Sequence, residues 1–492
     1  MKDIASVPEN IIRLEKHEEE ERELKKTQTE ILIELASKVE LFQTPDKEVY
    51  ARIPVKDHYE VYNVLSKSFK NWLIIKYYEI HTKPPNKQSI LDTIGYLESK
   101  AMFEGTVKRV FVRVASTENA IYIDLGDDTW RAVEITTRGW RVTSNYPVCF
   151  KRTGGMAALP NPTSGGNIEE LRQFINCANE RVWRSIVAWL LSALRSNGPF
   201  PLLIIQGEQG SAKSTTTKIL RSLIDPSSVP LCTAPKNEQD LIIRAYNTWV
   251  LALDNLSGLY HWVSDALCRL STGGGFATRS LFTNDEEKLF YVMRPAILNG
   301  IDDIATRQDL LDRTIVIYLK SIPEELRRDE ASFWKEFEAA KPRILGALYT
   351  LISSALRNLP GVKLKRLPRM ADFVLWITAA ETTLGWEPNS FQLVYEENRK
   401  RTIEVGLESD PVAMAILELA ENNGEWTGTA TELVECLSRF VPHRVSHSRK
   451  WPTNRSIKNR LTRLNPALKV VGIEVETFRA NNGRMFVIRK IS

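Results

Sequence analysis

The spacing of apolar residues divides the 492-residue chain into segments with different expected structures. Residues 1–40 hold a dense run of charges, from His17 to Lys26, followed by a short apolar cluster, and this pattern predicts a long exposed helix. Between residues 41 and 160, β-type runs alternate with helical stretches and turn residues, which predicts a small α+β domain. That domain carries no pattern with a recognisable chemistry.

Residues 168–400 predict an α/β domain, because buried β-type runs alternate with helical stretches before a helical region takes over at about 320. The run Pro201–Gln206 is almost continuously apolar, as is typical of a strand buried on both faces of a parallel sheet. Residues 408–492 show three helical patterns and then two β-type runs around the turn Ala480–Gly483. Three helices followed by a hairpin predict a winged-helix domain.

The apolar run of residues 201–206 leads directly into a glycine-rich segment that resembles a phosphate-binding loop. Such a loop needs glycines that let backbone N–H groups wrap a phosphate, a lysine for the β- and γ-phosphates, and a hydroxyl for Mg²⁺. The nine predicted ATP-binding residues are Gly207, Glu208, Gln209, Gly210, Ser211, Ala212, Lys213, Ser214 and Thr215. Ala212 stands where glycine is usual, but minichromosome maintenance helicases have a similar loop.

A second apolar strand pattern ends in Asp254, 41 residues after Lys213, and predicts the acid that holds Mg²⁺ together with Ser214. ATP and Mg²⁺ are therefore the expected cofactors. Most motor ATPases have a second carboxylate at the next position, as the base for the attacking water. Here that position is Asn255, an amide that cannot take a proton, so the identity of the base and the rate of hydrolysis are left open.

Two further features follow at the spacing of a motor ATPase. Asn299 ends the apolar run that begins at Arg294, and this places it to orient the water or the γ-phosphate. Arg313, with Arg307 as second choice, precedes another β-type run and is a candidate arginine finger for a neighbouring subunit. Considered singly, Asn299 could equally cap a strand end, and Arg313 could form a surface ion pair.

Between these motifs, residues 271–291 predict a hairpin with a glycine-rich first arm. The ordered set of phosphate loop, acid-ended strand, hairpin and asparagine-ended strand is similar to the superfamily 3 helicases. It is more closely similar to the poxvirus- and phage-type primase-helicase ATPases of mobile elements. The resemblance covers about 200–320 well and extends over 168–400.

That resemblance implies an AAA+-like P-loop ATPase with a helical lid, assembled as a homo-oligomeric ring, usually a hexamer, around DNA. It gives Arg279 to the glycine-rich motif and makes Lys288, near the hairpin turn, a candidate DNA contact; a solvated lysine is the alternative for Lys288. Gly275 occupies a place that often holds an acid, which, like Asn255, weakens the expectation of robust hydrolysis. Other replication proteins, including a primase, are implied partners. Residues 1–160 show no paired-acid polymerase pattern.

The carboxyl-terminal segment has a one-sided charge distribution. No acid occurs between Val441 and Ile473, and the basic residues there include the expected recognition helix. Such clustering is what contact with a phosphate backbone requires, although a basic face used for protein contacts is the alternative. The predicted DNA-binding residues of this segment are Arg449, Lys450, Arg455, Lys458, Arg460 and Arg463.

Composition adds limits and no further chemistry. The net charge of +5 is too small to indicate nucleic-acid binding by itself. Five scattered cysteines support neither a zinc site nor a disulfide framework, and no apolar run approaches the length of a membrane span. We therefore expect a cytoplasmic protein without a membrane partner.

Two functional hypotheses follow. The first is an ATP-dependent DNA helicase or translocase of a phage or mobile element, which acts in replication on single-stranded or forked DNA. The second is a DNA-binding switch or regulator that binds ATP but hydrolyses it slowly or not at all, and Asn255 is the residue that motivates it.

Overall fold

The computed structural model describes residues 26–279, 287–300, 308–449, 451–480 and 483–491. The expected charged helix therefore falls mostly outside the described residues. The elements of residues 26–150 are α1 (Gln28–Ala36), β1 (Glu40–Gln43), β2 (Val49–Val55), β3 (His58–Asn63), α2 (Lys67–His81), α3 (Lys87–Glu104), β4 (Thr106–Val107), β5 (Val110–Phe111), β6 (Val114–Ser116), β7 (Ala120–Asp124), β8 (Ala132–Thr136), β9 (Gly139–Thr143) and β10 (Cys149–Phe150).

A short 3₁₀ helix, Ile168–Phe174, then leads into the larger part of the chain. Its elements are α4 (Glu180–Ala193), β11 (Leu202–Gly207), α5 (Lys213–Ile224), α6 (Glu238–Asn247), β12 (Leu251–Leu256), α7 (His261–Thr272), β13 (Gly275–Arg279), β14 (Glu287–Tyr291), β15 (Ala296–Gly300), α8 (Gln308–Leu311), β16 (Thr314–Leu319), α9 (Glu330–Asn358), α10 (Ala371–Leu384), α11 (Ser390–Glu408), α12 (Pro411–Asn423), β17 (Glu425–Thr429), α13 (Ala430–Ser438), α14 (His443–Ser446), α15 (Ile457–Val470), β18 (Ile473–Ala480) and β19 (Gly483–Lys490).

The described chain forms two compact units, and the first contains 26–111, 128–131 and 144–152. In this unit β1, β2 and β3 form an antiparallel sheet, and β4 extends it in parallel beside β1. Helix α2 begins after Ser66, whose side chain accepts a hydrogen bond from the N–H of Phe69. Phe69, Leu73 and Leu97 pack into the core of this unit, which is separate from that of the larger unit.

The expected α+β domain of residues 41–160 is distributed over both units. Strands β6 to β9 form an antiparallel meander that belongs to the second unit. Their inward-facing residues, such as Ile123 and Val133, join the same buried cluster as Leu345 and Tyr349 of α9. The alternation of residues within these strands was visible in the sequence, but the element that covers them lies more than 200 positions further along.

One buried ion pair fixes the meander to the helix that follows the glycine-rich loop. Arg113 is 0% exposed, and its Nε lies 3.1 Å from Oδ1 of Asp225, directly after α5. Its other nitrogens donate to the carbonyl oxygens of Asp124 and Ala157, at 2.9 and 2.7 Å. The second carboxylate oxygen of Asp225 accepts from the N–H groups of Trp249 and Val250. Every charged atom of the pair therefore has a partner, as a buried pair requires.

The centre of the second unit is a parallel sheet in the order β12, β15, β11, β16. In β11, Leu203 and Ile205 pack into the cluster on one face, and Leu202 and Ile204 into the cluster on the other. A strand covered on both faces is apolar at every position, which explains the continuous apolar run in the sequence. The mixed α/β character predicted for the chain is confirmed. All four strands end at one edge of the sheet.

The described residues from 411 onward form three longer helices and a three-stranded antiparallel sheet in the order β17, β19, β18. Helix α15 buries Ile457, Leu461 and Leu468 against this sheet and its neighbours. Strand β17, a partner of β19, was not expected from the sequence. None of the helices within the described ranges is both long enough and apolar enough to span a lipid bilayer.

Candidate functional site

The segment of residues 207–215 lies at the carboxyl edge of the parallel sheet, between β11 and α5. Three of its residues adopt positive φ: Gly207 at 154°, Gly210 at 78° and Ala212 at 62°. A Cβ on Gly207 would lie 2.2 Å from the carbonyl oxygen of Leu319, so only glycine fits there. Ala212 is left-handed, a backbone conformation that costs an L-residue roughly 1–2 kcal/mol.

The first turn of α5 leaves its backbone donors available. Within the described chain, the N–H groups of Ser211, Ala212, Lys213 and Ser214 donate to no protein atom. A helix start with free N–H groups and the positive end of its dipole favours an anion. Lys213 Nζ instead donates to the carbonyl oxygens of Gly207 and Glu208, at 2.7 Å each. Burial lowers the pKa of Lys213, and the Asp254 carboxylate partly offsets this effect.

The two residues predicted to hold Mg²⁺ lie side by side. Ser214 Oγ donates to Oδ1 of Asp254 at 2.9 Å, although the residues are 40 positions apart. Asp254 is carried to this place by β12, which lies two strands from β11 in the sheet. In the described residues, including this site, no group of three or more histidine, cysteine, aspartate or glutamate side chains is placed to hold a metal ion. A magnesium ion between Ser214 and Asp254 would thus take most of its ligands from phosphate and water, as Mg²⁺ commonly does.

Asn299 joins three elements of this edge. Its Oδ1 accepts from the backbone N–H of Asn255 at 3.0 Å, and its Nδ2 donates to Oγ1 of Thr217 at 2.9 Å. Thr217 Oγ1 in turn donates to the carbonyl oxygen of Lys213 at 3.0 Å. Asn299 is 1% exposed. The side chain thus connects the ends of β15 and β12 to the first turns of α5, and Thr217 is a participant that the sequence motifs did not indicate.

The backbone conformation at position 255 explains why asparagine suits this place. The pairing of β12 with β15 shifts register between Leu253 and Leu256, and Asn255 in this bulge has a φ of 55°. Asparagine tolerates the left-handed region better than most side chains. Its side chain is exposed at the carboxyl edge of the sheet, beside Asp254 in the chain. The amide therefore occupies the place expected for a second carboxylate.

Two other residues approach the loop from segments without a motif. Asn176 Nδ2 donates to the carbonyl oxygens of Ser211 and Lys320, at 3.1 and 2.7 Å, and so ties the loop to the chain after β16. Arg327 also approaches the loop, with Nη2 3.8 Å from the position a Cβ on Gly210 would take. Neither residue belongs to a motif that could be recognised in the sequence. They lie beside the loop because the folded chain brings their segments to it.

Arg313 lies at the opposite edge of the sheet from Lys213. Its carbonyl oxygen accepts from the N–H of Leu202, at the start of β11, whereas the loop follows the end of that strand. At about 3.3 Å per residue, the strand separates the two edges by roughly 16 Å. The Arg313 guanidinium is 15% exposed and pairs with Asp309 at 2.5 Å. Arg307 lies outside the described residues.

The expected hairpin is present in the backbone. Strands β13 and β14 pair antiparallel, with Thr278 opposite Lys288 and Arg279 opposite Glu287. The side chains of Arg279 and Lys288 lie outside what the structure describes, so their roles stay predictions. Gly275, opposite Tyr291, has open space where a side chain would be.

The basic residues of the carboxyl-terminal segment fall into two groups. Arg449, Arg455 and Arg463 are exposed, whereas Lys458 and Arg460 are half-buried. Arg460 is engaged within the fold, because its Nη2 lies 2.5 Å from Oδ2 of Asp410. Asp410 also caps α12 through its other oxygen. A stabilising role within the fold is therefore sufficient to explain Arg460. Lys450 lies outside the described residues.

The hairpin of β18 and β19 adds two arginines that the sequence analysis left out. Arg479 and Arg484 are directly opposite each other in the register, and both are exposed. Like charges at opposed positions of a strand pair repel each other. Phe478, which directly precedes Arg479 in β18, is 48% exposed. The paired ends of β18 and β19 therefore place two positive charges beside an exposed aromatic ring.

The comparisons with known families indicate a replication protein of a mobile element. Residues 168–388 match the family described as the actinomycete integrative conjugative element replication protein. Residues 412–492 match the carboxyl-terminal domain of the same replication protein. The two matches together span more than half of the chain, which is similar to this replication protein over both regions. The expectation of a mobile-element replication protein is thereby confirmed.

No protein of curated function matches the chain significantly. Solved structures of the NrS-1 carboxyl-terminal region in its apo form are similar to it. One is 14% identical and covers 93% of this chain and 97% of its own, with a TM-score of 0.42. A second is 12% identical and covers 95% of this chain and 100% of its own, with a TM-score of 0.40.

Proposed function

We propose that the segment of residues 207–215 binds the phosphates of ATP, with Mg²⁺ held by Ser214 and Asp254. The observation that carries this proposal is the 2.9 Å hydrogen bond between Ser214 and Asp254. Next to it, the Lys213 amine contacts the carbonyl oxygen of Gly207 at the start of the loop. The free N–H groups of residues 211–214 supply the donors that a β-phosphate requires. Bound phosphate oxygens would take over the Lys213 amine from the carbonyl oxygens it now contacts.

Binding is tested by titrating a fluorescent ATP analogue with and without Mg²⁺. We expect Lys213→Ala to weaken binding by at least about tenfold, or roughly 1.4 kcal/mol. Lys218→Ala, on the same helix, is the control and should bind like the wild type. Asp254→Asn should remove most of the Mg²⁺ dependence and little of the Mg²⁺-free binding. Equal binding by the wild type and Lys213→Ala would refute the site.

On this basis the protein acts as an ATP-dependent DNA translocase or helicase in replication of the mobile element. The parallel sheet order, with the loop strand between its neighbours, supports an AAA+-like core. The distance of Arg313 from the loop of its own chain supports a role toward a neighbouring subunit, and so a ring. Asp309, its present partner, would have to release it.

Ring function is tested by mixing two inactive variants. Lys213→Ala lacks the site, and Arg313→Ala lacks the finger, so neither should hydrolyse ATP alone. Mixed rings contain interfaces that combine an intact loop with an intact arginine, and we expect partial recovery of DNA-stimulated hydrolysis. The control is Arg181→Ala, which replaces an exposed arginine of α4 and leaves both the loop and Arg313 intact. Mixed with Lys213→Ala, it should show no more hydrolysis than it has alone. Absence of recovery, with oligomers confirmed by light scattering, contradicts the shared site.

A DNA-binding switch with slow hydrolysis is the second candidate, and the left-handed amide at Asn255 favours it. A general base must accept a proton from water, which an amide does not do. Tight ATP binding with negligible turnover, unchanged by DNA, would select the switch, and a gain of turnover in Asn255→Asp would locate the cause. Thr217→Val separates positioning from binding. We expect kcat to fall while nucleotide affinity is retained, because in the described residues the Thr217 hydroxyl hydrogen-bonds to Asn299 and to the Lys213 carbonyl oxygen.

The carboxyl-terminal segment is proposed to be a winged helix that binds DNA through the exposed face of α15 and the hairpin of β18 and β19. The exposed Arg455, Arg463, Arg479 and Arg484 support it. Each phosphate contact that is lost should lower the slope of log K against log salt by about 0.9 for duplex DNA. Arg455→Ala should lower the slope, whereas Arg460→Ala should mainly lower stability. An unchanged slope in both Arg455→Ala and Arg479→Ala would argue for a protein-binding face.

A further inference from the structure

A recess of about 420 Å³ opens in the second unit, away from the glycine-rich loop. Residues 195–197, which lead toward the start of β11, form one wall, and the meander and the ends of α9 and α10 form the others. Its floor and sides are largely apolar, with Ile121, Leu356, Val362 and Trp376 among them. Its volume lies within the range of sites that enclose a bound group. The proposed ATPase makes no use of it.

One guanidinium, that of the half-buried Arg195, forms part of the lining of this recess. Arg195 Nη1 donates to the carbonyl oxygen of Asp372 at 3.4 Å, and the guanidinium carbon lies 5.6 Å from the centre of the Trp376 ring. In the described chain, no carboxylate comes within ion-pair distance of it. Burial lowers the pKa of Arg195 to about 10, and the nearby charge of Asp372 only partly offsets this effect. Arg195 is half-buried, and a partly desolvated cation beyond ion-pair distance of a carboxylate would be stabilised by a bound anion.

Positively charged residues directly follow two parts of the lining in the chain. Arg357 follows the lining residue Leu356, and Lys363, Lys365 and Arg366 follow Val362, all with exposed side chains. Arg357 donates to the carbonyl oxygen of Thr137 in the turn between β8 and β9. Two acids, Glu118 and Asp372, line the recess with Arg195, and four exposed cations, here called the basic rim, lie within four residues of a lining residue in the chain. The site therefore combines an apolar interior, an inner guanidinium and a basic rim.

We propose that this recess binds the carboxyl-terminal end of an acidic segment of a partner protein. The terminal residue would be large and apolar and would fill the recess, and its chain-terminal carboxylate would pair with Arg195. Acidic residues before it would lie along Lys363, Lys365 and Arg366. Duplex DNA does not fit this combination, because its bases are stacked inside the helix and its phosphate backbone has no apolar group to place against Ile121, Leu356 and Trp376. A free inorganic anion would leave the apolar walls unfilled.

The proposal is tested with the full chain and a fluorescent peptide of four aspartates followed by phenylalanine with a free carboxylate, read by polarisation. We expect Arg195→Gln to weaken binding by about tenfold or more, equivalent to roughly 1.4 kcal/mol. Amidation of the peptide terminus should have the same effect. The two changes together should weaken binding no further than either alone, because they remove one interaction. A peptide that ends in glycine should also bind less well.

Arg181→Gln is the matched control, since Arg181 is an exposed arginine at the opposite end of α4 from residue 195. If Arg195→Gln does not fold, the rim variant Lys363→Glu with Lys365→Glu carries the test and should lose most of the binding at low salt. Binding that ignores amidation, the glycine-ended peptide and the rim variant would overturn the proposal. Displacement of the peptide by single-stranded DNA, with DNA binding that depends on Arg195, would overturn it as well.

Discussion

Replacement of Ala212 by glycine should stabilise this protein, which is the opposite of what alanine-to-glycine changes usually do. Ala212 has φ 62° and ψ 30°, the left-handed helical region. An alanine there costs roughly 1–2 kcal/mol, and glycine avoids this cost. Glycine adds freedom to the unfolded chain, worth roughly 0.4–1 kcal/mol in the other direction. The net expectation is an unfolding free energy raised by about 0.5–1 kcal/mol.

The matched control is Ala339→Gly, at an exposed interior position of helix α9. There the backbone is right-handed, so the same chemical change should lower the unfolding free energy by about 1 kcal/mol. The two variants differ only in the backbone conformation at the substituted residue. Their opposite signs are therefore a test of the left-handed turn at 212.

Thermal or urea unfolding without nucleotide measures both variants, with about 2–4 °C of Tm expected per kcal/mol for a domain of this class. Ala212→Gly should raise Tm by a few degrees and Ala339→Gly should lower it. Equal destabilisation by both would show that Ala212 is not held left-handed, and the geometry proposed for the phosphate site would be wrong at that residue. Nucleotide affinity should be retained in both.

Three further outcomes are expected. Arg113→Met leaves the Asp225 carboxylate buried without its partner and should lower the unfolding free energy by about 3–5 kcal/mol in urea titrations. Adding Asp225→Asn should restore part of the loss. Full stability of the single variant would contradict the buried pair. Burial alone would raise the pKa of Asp309, but the hydrogen bond and the charge of Arg313 lower it below its ordinary value. The carboxylate therefore stabilises the fold above its unfolded pKa of about 3.9. It loses that contribution as the pH falls through the folded pKa. Asp309→Asn should therefore lower Tm at pH 7 and converge with the wild type below about pH 4, and a constant difference would count against the pair. Gly207→Ala should abolish ATP binding or folding, since its Cβ would lie 2.2 Å from a carbonyl oxygen, and normal binding by a folded variant would exclude this loop geometry.

The loop and the strands around it could be predicted because their signals are local. A strand buried on both faces is apolar at each position, and Leu202 to Ile205 show this directly. The glycines at 207 and 210 and the lysine at 213 form one continuous segment, and its backbone turns as that composition predicts. The charge distribution after Val441 likewise required no three-dimensional information.

Other parts depended on contacts between distant segments. The role of Thr217 arises only because Asn299, 82 positions away, lies against it, and Arg460 is engaged because Asp410 is brought within 2.5 Å. The meander of β6 to β9 joins the second unit because α9 covers its apolar face. Asn255, a departure from the motif, lies at a bulge where a left-handed backbone suits asparagine.

The sequence by itself therefore determined the local elements, the parallel α/β character and the residue types of the candidate site, because backbone preference and burial pattern are written in neighbouring residues. The tertiary structure alone decided which side chains share the carboxyl edge of the sheet and which cations are neutralised within the fold. It also left Arg195 beyond ion-pair distance of every carboxylate in the described residues. The reason is physical: the order of strands and the pairing of buried charges depend on which surfaces exclude water together, and residues far apart in the chain supply those surfaces.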